Sequence, residues 1–136
     1  MIVTCDMVPL LAVFDMPTAM RSYCGVLGCQ TVRSDGKPTP EFDWGMLSLN
    51  GAELMLNTAY EAPARPPQPE RTRIAAHKDI SLYFGCPDVD GVYDHLRARG
   101  VDVNAPRVAW YGMKQLYVTD PDGYVLCFQW MAEPRP

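Results

Sequence analysis

The chain is expected to fold as an α+β protein in which two tandem strand–helix–strand–strand–strand modules form curved, mixed sheets with their helices outside. Three observations lead there. First, the sequence is written twice. Trp44-Gly45-Met46, ahead of the Gly-led run Gly51-Ala52-Glu53-Leu54-Met55-Leu56, returns as Tyr111-Gly112-Met113 ahead of Gly123-Tyr124-Val125-Leu126-Cys127-Phe128. Asp15, Gly28 and Gly51 recur as Asp88, Gly100 and Gly123, each displaced by about 72 residues. Second, each half holds one stretch of helical periodicity between its Asp and its Gly. Third, apolar and polar residues mix with a period of two around Asn50-Gly51, as in half-buried strands. Two like modules facing one another enclose a cleft, and function is expected there.

The elements follow in order. Met7 to Phe14 is an apolar run of strand length. Asp15 is a good N-cap, and Pro17 is tolerated in a first helical turn. Met16, Ala19, Met20, Tyr23 and Leu27 then form one buried helical stripe, which Gly28 ends. Cys29 to Arg33 reads as a strand, Ser34 to Pro38 as a turn and Pro38 to Phe42 as loop. Trp44 to Leu49 and Ala52 to Asn57 flank Asn50-Gly51, the strongest short hairpin signal. A two-residue turn sets Leu49 opposite Ala52, Ser48 opposite Glu53, Leu47 opposite Leu54 and Met46 opposite Met55. Leu47, Leu54 and Leu56 then share a face suited to the helix. Trp44, Met46, Ser48, Glu53, Met55 and Asn57 share the other, which should look into the cleft.

Thr58 to Lys78 carries Pro63, Pro66, Pro67 and Pro69 and reads as a long exposed linker. Asp79 to Cys86 is the next strand. Asp88 caps a helix with Val89, Val92, Tyr93 and Leu96 on its inner stripe, closed by Gly100. Val101 to Val108 is a short strand and loop. Met113 to Thr119, the Asp120-Pro121-Asp122-Gly123 turn and Val125 to Trp130 make the last hairpin. The chain is thus one domain over residues 1–136, with a first module at about 5–57, a proline-rich linker at 58–78 and a second module at about 79–131.

Composition narrows the function. The chain has 136 residues and a formal net charge of −4. It has no clustered Lys and Arg stripe of the kind that neutralises phosphates, so no nucleic-acid partner is expected. No apolar stretch reaches membrane-spanning length. The opening Met1 to Asp6 lacks a basic start, so no signal peptide is expected. Five cysteines with no Cys-x-x-Cys pair form neither a disulfide framework nor a zinc knuckle. A reducing cytoplasm is the expected compartment.

This layout, with Val26-Leu27-Gly28 closing the first helix and Asp120-Pro121-Asp122-Gly123-Tyr124 near the end, resembles the vicinal oxygen chelate superfamily. Glyoxalase I, extradiol dioxygenases, fosfomycin-modifying enzymes and the bleomycin- and mitomycin-binding resistance proteins belong to it. The resemblance covers nearly the whole chain. It implies paired βαβββ modules that form a cup, and usually a homodimer.

Metal-using members of that group place His, Glu, His and Glu on the first and last strands of each module. Carried onto this chain, those places fall on Val8, on Glu53 or Met55, on Ser81 and on Cys127. Only Glu53 has the expected residue type, so no metal and no cofactor are expected. His95 lies on the outer side of the second helix. His77 sits at the linker's end and reads as a residue of a fraying strand rather than a ligand. Glu53 is either a lone carboxylate in an apolar cup or a cleft-edge residue bonded to Ser48 or water. Cys127 is either a nucleophile or an inert buried thiol; no neighbour in sequence would activate it.

The expected ligand contacts are Trp44, Met46, Glu53, Met55, Ser81, Tyr83, Trp110, Tyr111 and Cys127, with Ser48, Asn57 and Gln129 as further polar groups. Aromatic faces stack on planar molecules and methionines adapt to irregular apolar shapes. Trp130 is assigned to core or dimer packing. The reading is a non-catalytic binding protein of the bleomycin-resistance type that sequesters a planar, aromatic antibiotic or metabolite. The alternative is a glyoxalase-like lyase, isomerase or dioxygenase, metal-dependent or using Glu53 as general base. The negative net charge favours a cationic or neutral ligand over an anionic one.

Overall fold

Asn50 and Gly51 both take positive φ, 50° and 93°, in the computed structural model, which describes residues 1–39 and 41–132. That is the two-residue turn whose twist matches flanking strands. It joins β3 (Trp44–Leu49) to β4 (Ala52–Thr58) with Leu49 opposite Ala52, Ser48 opposite Glu53, Leu47 opposite Leu54 and Met46 opposite Met55. The register agrees with the sequence expectation at every pair. β1 (Leu10–Val13) lies parallel on the other edge of β4, and β2 (Gln30–Ser34) pairs antiparallel with β3. The first sheet therefore runs β1-β4-β3-β2.

The leucine side of this sheet is closed. Leu47, Leu54 and Leu56 are buried together with Leu11 and Val13 of β1. Burying each such side chain is worth about 1.5–3 kcal/mol. The cover is α1 (Met16–Met20), which packs on β4 and buries Met16, Ala19 and Met20. Asp15 caps it by accepting from the Thr18 amide at 3.0 Å and the Thr18 hydroxyl at 2.5 Å. The Thr18 hydroxyl, followed by its amide and Arg65, holds the Asp15 carboxyl below the usual carboxylate range against the effect of burial.

From Arg21 to Val26 the helix widens, with bonds spanning five residues such as Leu27 N–H to Ser22 C=O at 3.0 Å. The wider turn adds a residue per revolution. Tyr23 stays fully buried, and Leu27 is rotated off the stripe to a half-buried position. Gly28 ends the helix at φ 87°.

The chain divides into two compact units, Met1–Gln68 and the residues from Pro69 onward. The second repeats the first in its internal plan. β5 (Ser81–Gly85) is parallel to β8 (Val125–Met131), which is antiparallel to β7 (Met113–Thr119), followed by the two-residue β6 (Arg107–Val108), so the order is β5-β8-β7-β6. The helix α3 (Val89–Ala98) packs on β7 and β8. Asp88 caps it through the Gly91 amide at 2.9 Å, and Gly100 closes it at φ 77°. Val89 and Leu96 are buried against Leu116, Leu126 and Phe128, while Val92 and Tyr93 are half-buried. His95 is half-buried, with its Nδ1 3.0 Å from Arg99.

The segment expected as an exposed linker is largely exposed, but it carries structure of its own. It carries a short 3₁₀ turn at Ala62–Ala64, then α2 (Arg71–Ala76) and a second 3₁₀ turn at His77–Asp79. All four prolines precede residue 70, so the stretch that follows is free to coil. It is also pinned. Arg73 reaches Asp122 at 2.9 Å, and His77 Nδ1 lies 2.7 Å from the Asp122 carbonyl, a geometry in which that nitrogen donates. The His77 ring stacks on buried Tyr124 at 4.0 Å. His77 is therefore a structural clamp, not a residue of a fraying strand.

The clamped turn is itself cross-tied: Asp120 Oδ1 accepts from the amides of Asp122 and Tyr124, both at 2.9 Å. The expected loop Pro38 to Phe42 includes Pro40, which lies outside the described residues. Among the described residues all five cysteines are free thiols, and no helix is long and apolar enough to cross a membrane.

Two outcomes are expected in unfolding experiments. Gly123 sits at φ 90°, and a Cβ built there would come 2.2 Å from the Ile74 carbonyl oxygen. Gly123→Ala should cost roughly 3 kcal/mol or more in urea titrations, through backbone strain plus overlap. Gly36→Ala, with φ 93° and open space around it, should cost only about 1 kcal/mol.

The second outcome concerns Cys29, which is buried beside Cys24. Burial pushes its thiol up to about 12 from an ordinary value of 9.0. The folded state therefore keeps a proton that the unfolded state loses above pH 9, and stability falls as pH rises from there. Wild type and Cys29→Ala should run parallel below that pH, with wild type falling more steeply above it.

Candidate functional site

Strand parity in the second unit sorts side chains onto two sides of its sheet. Leu116, Leu126 and Phe128 face α3. Tyr83, Cys127 and Tyr117 are cross-strand neighbours on the other side, as are Gln129, Gln115 and Arg107 one step along. Ser81 shares that side and is exposed. Cys127 lies between the two tyrosines and is 0% exposed, because the rings meet over it edge to face at 6.5 Å with their hydroxyls 3.3 Å apart. Burial pushes the Cys127 thiol up, opposed by a hydrogen bond with the Tyr117 hydroxyl. The hydrogen bond with Tyr83, then burial, pushes the Tyr117 phenol up as well.

The polar groups form one chain. The Tyr117 hydroxyl donates to Gln115 Oε1 at 3.2 Å. Gln115 Nε2 donates to the Tyr111 hydroxyl at 2.8 Å and to Gln129 Oε1 at 2.9 Å. Gln115 is buried, and all of its bonds serve to fix its neighbours. Spent as an acceptor from Gln115, the Tyr111 hydroxyl still has its proton to donate. Gln129 likewise keeps its amide N–H groups.

Beside this network lies a recess of about 440 Å³ walled by Trp110, Tyr117, Gln115 and Arg107. Asn104, Ala105, Val108 and Ala109 complete it. Trp110 is 95% exposed and touches Tyr111 edge to face at 5.3 Å. Tyr83 and Tyr117 are 52% and 46% exposed.

In the first unit the side of the sheet away from α1 carries Trp44 opposite Asn57, Met46 opposite Met55, and Ser48 opposite Glu53. Leu10 of β1 pairs with Met55 and is exposed. Trp44, Met46, Met55 and Asn57 are half-buried, and Glu53 is exposed. This surface is apolar and Met-rich at its centre, with polar groups at the hairpin tip.

The positions that would hold a metal carry an aliphatic side chain (Val8), an exposed carboxylate (Glu53) or a half-buried thioether (Met55), an exposed hydroxyl (Ser81) and a buried thiol whose pKa is raised by burial (Cys127). Hard divalent ions require several oxygen or imidazole donors, and thiolate binding requires a deprotonated sulfur. The donor set does not fit the superfamily's metal. Among the described residues no three His, Cys, Asp or Glu side chains gather as a metal site.

Among residues singled out in the sequence, Ser81, Tyr83 and Cys127 share one side of the second sheet, and Trp44, Met46, Glu53 and Met55 share one side of the first. Trp110 and Tyr111 stand in the turn before β7. Trp130 is partly exposed and borders a different recess, with Lys114 and Asp90. Gln115, Tyr117, Asn104 and Arg107 were not among the sequence candidates. The hairpin register around Asp120–Gly123 carried the signal for the first two, since it sets Tyr117 opposite Cys127. Arg107 and Asn104 fall in a stretch without periodicity, where sequence offers no facing direction.

Comparison with known proteins agrees with this architecture. The chain superposes on the crystal structure of TioX from Micromonospora sp. ML1 with a TM-score of 0.69 at 20% identity, covering 93% of this chain and 98% of that one. For TnmS3, an antibiotic binding protein from Streptomyces sp. CB03234, the TM-score is 0.65 at 24% identity, covering 96% and 99%. For a bleomycin-binding protein complexed with bleomycin it is 0.64 at 18% identity, covering 96% and 100%. These likenesses establish the fold. No curated protein sequence matches the chain at a significant level. Residues 4–128 match the model of the Glyoxalase/Bleomycin resistance protein/Dioxygenase superfamily, and the chain belongs to that family.

Proposed function

We propose that this protein binds a planar, ring-containing antibiotic or metabolite without metal and acts by sequestering it. The observation that carries the reading is the aromatic surface of the second unit. Four large rings, Tyr83, Trp110, Tyr111 and Tyr117, are between 46% and 95% exposed in one neighbourhood. Exposed apolar patches of this kind mark binding sites. Each ring that stacks on a flat ligand adds about 0.5–1.5 kcal/mol beyond area burial. A recess of about 440 Å³ suits a small molecule.

Orientation comes from fixed donors. Gln115 holds Tyr111 and Gln129 so that a phenolic O–H and an amide N–H₂ are ready for ligand acceptors. A preorganised donor loses little freedom on binding. Trp44, Met46, Met55 and Glu53 supply a second contact surface in the first unit, with Ser81 as a polar contact in the second. Cys127 serves as packing beneath Tyr83 and Tyr117. The antibiotic-binding protein and the bleomycin complex among the structural neighbours support the reading.

Catalysis through Glu53 finds less support. That carboxylate is exposed at a hairpin tip opposite Ser48, with no acid partner in its sheet register. The Cys127 thiol has no thiolate character to offer.

Titrating polycyclic aromatic antibiotics while following tryptophan emission and heat should reveal saturable binding. Trp110→Ala should weaken it about five- to tenfold, in line with losing one stacked ring. Its urea midpoint should stay at the wild-type value, since Trp110 packs against solvent. Absence of both quenching and heat across the series would refute the proposal.

A further inference from the structure

The recess in the second unit carries one charged group. Of its eight lining residues, Asn104, Ala105, Val108, Ala109, Trp110, Gln115 and Tyr117 are neutral, and Arg107 is the exception. Register places Arg107 directly opposite Gln115, on the same side of the sheet as Tyr117. Among the described residues its guanidinium makes no ion pair; the pairs present join Lys37 to Asp43, Arg65 to Asp15, Arg73 to Asp122, Arg97 to Asp102 and Lys114 to Asp90. A planar cation thus stands over an aromatic-walled recess with its forked donors unspent.

The overall charge of −4 points the other way, toward a cationic ligand. Distance decides between the two. Exposed charges farther than about 8 Å are largely screened at physiological salt. Among the residues that line the recess there is no carboxylate, and Arg107 is the one charge a ligand seated there would touch. Guanidinium matches carboxylate geometry with two parallel hydrogen bonds, and such charge-assisted bonds are about twice as strong as neutral ones.

We infer that the recess selects planar aromatic ligands bearing an anionic group, a carboxylate or its equivalent, which Arg107 holds while Trp110 and Tyr117 flank the ring system. The inference rests on the binding reading above and adds the sign of the ligand's charge to it.

Calorimetry of the full chain at neutral pH with phenazine carboxylate and phenazine carboxamide isolates that sign, because the two probes share size and shape. The carboxylate should bind about tenfold or more tightly than the amide. Arg107→Gln should weaken the carboxylate by about tenfold or more while leaving the amide within about twofold. Arg107→Lys should keep part of the preference, and Trp110→Ala should weaken both probes alike. Equal binding of both probes, unchanged by Arg107→Gln, would overturn the assignment of charge and leave the binding reading standing. If neither probe bound while other planar aromatic ligands did, the charge assignment would fall and the binding reading would stand; if none of the series bound, both would fall.

Discussion

Strand register, held by the turn at the tip of each hairpin, decides which side chains meet a helix and which meet solvent. A slip of one residue would move every leucine of β4 to the wrong side. In the first unit Asn50-Gly51 prevents it through two positive φ angles. In the second the work falls to Asp120, whose carboxylate ties two amides of the turn. With register fixed, Leu47, Leu54 and Leu56 go under α1, and Leu116, Leu126 and Phe128 go under α3. What remains is a Met- and Trp-bearing surface in one unit and a tyrosine–glutamine network in the other. The proposed binding surface is the complement of the core, set by the same alternation.

The second turn bears a further load. Asp122 is buried and engages Arg73, and Gly123 leaves room for the Ile74 backbone. Removing one partner of a buried ion pair leaves the other charge uncompensated, so this tie is costly to break. Helix α2 is too short to persist alone in water and owes its order to this docking. The segment between the repeats is in this way joined to the β7–β8 turn, and His77, one of only two histidines, is used for that clamp rather than for chemistry.

Much of this was legible beforehand, where local chemistry and tertiary packing agree. The two Asp caps, the closing glycines and the Asn-Gly register each follow from a short-range rule, and the structure repeats them. The widened turn after Met20 was not legible, because a helical stripe looks alike until hydrogen bonding slips by one residue. Helix α2 was hidden by the prolines just before it and by partners some fifty residues away. On the site, Ser81, Tyr83 and Cys127 were among the contacts expected from sequence, and they share one side of the second sheet. Tyr117 was missed although the last hairpin's register sets it opposite Cys127, and Arg107 lies opposite Gln115 in an aperiodic stretch that gave no facing direction.

The side of the second sheet away from α3 is the proposed ligand surface. Amide and side-chain chemical shifts, recorded while a planar aromatic ligand is added, test it most directly. Changes should concentrate at Arg107, the Trp110 indole, Tyr111, Gln115 and Gln129, with α3 from Val89 to Leu96 unmoved. Shifts confined to α3, or to the neighbourhood of Pro87, Lys114 and Trp130, would contradict it.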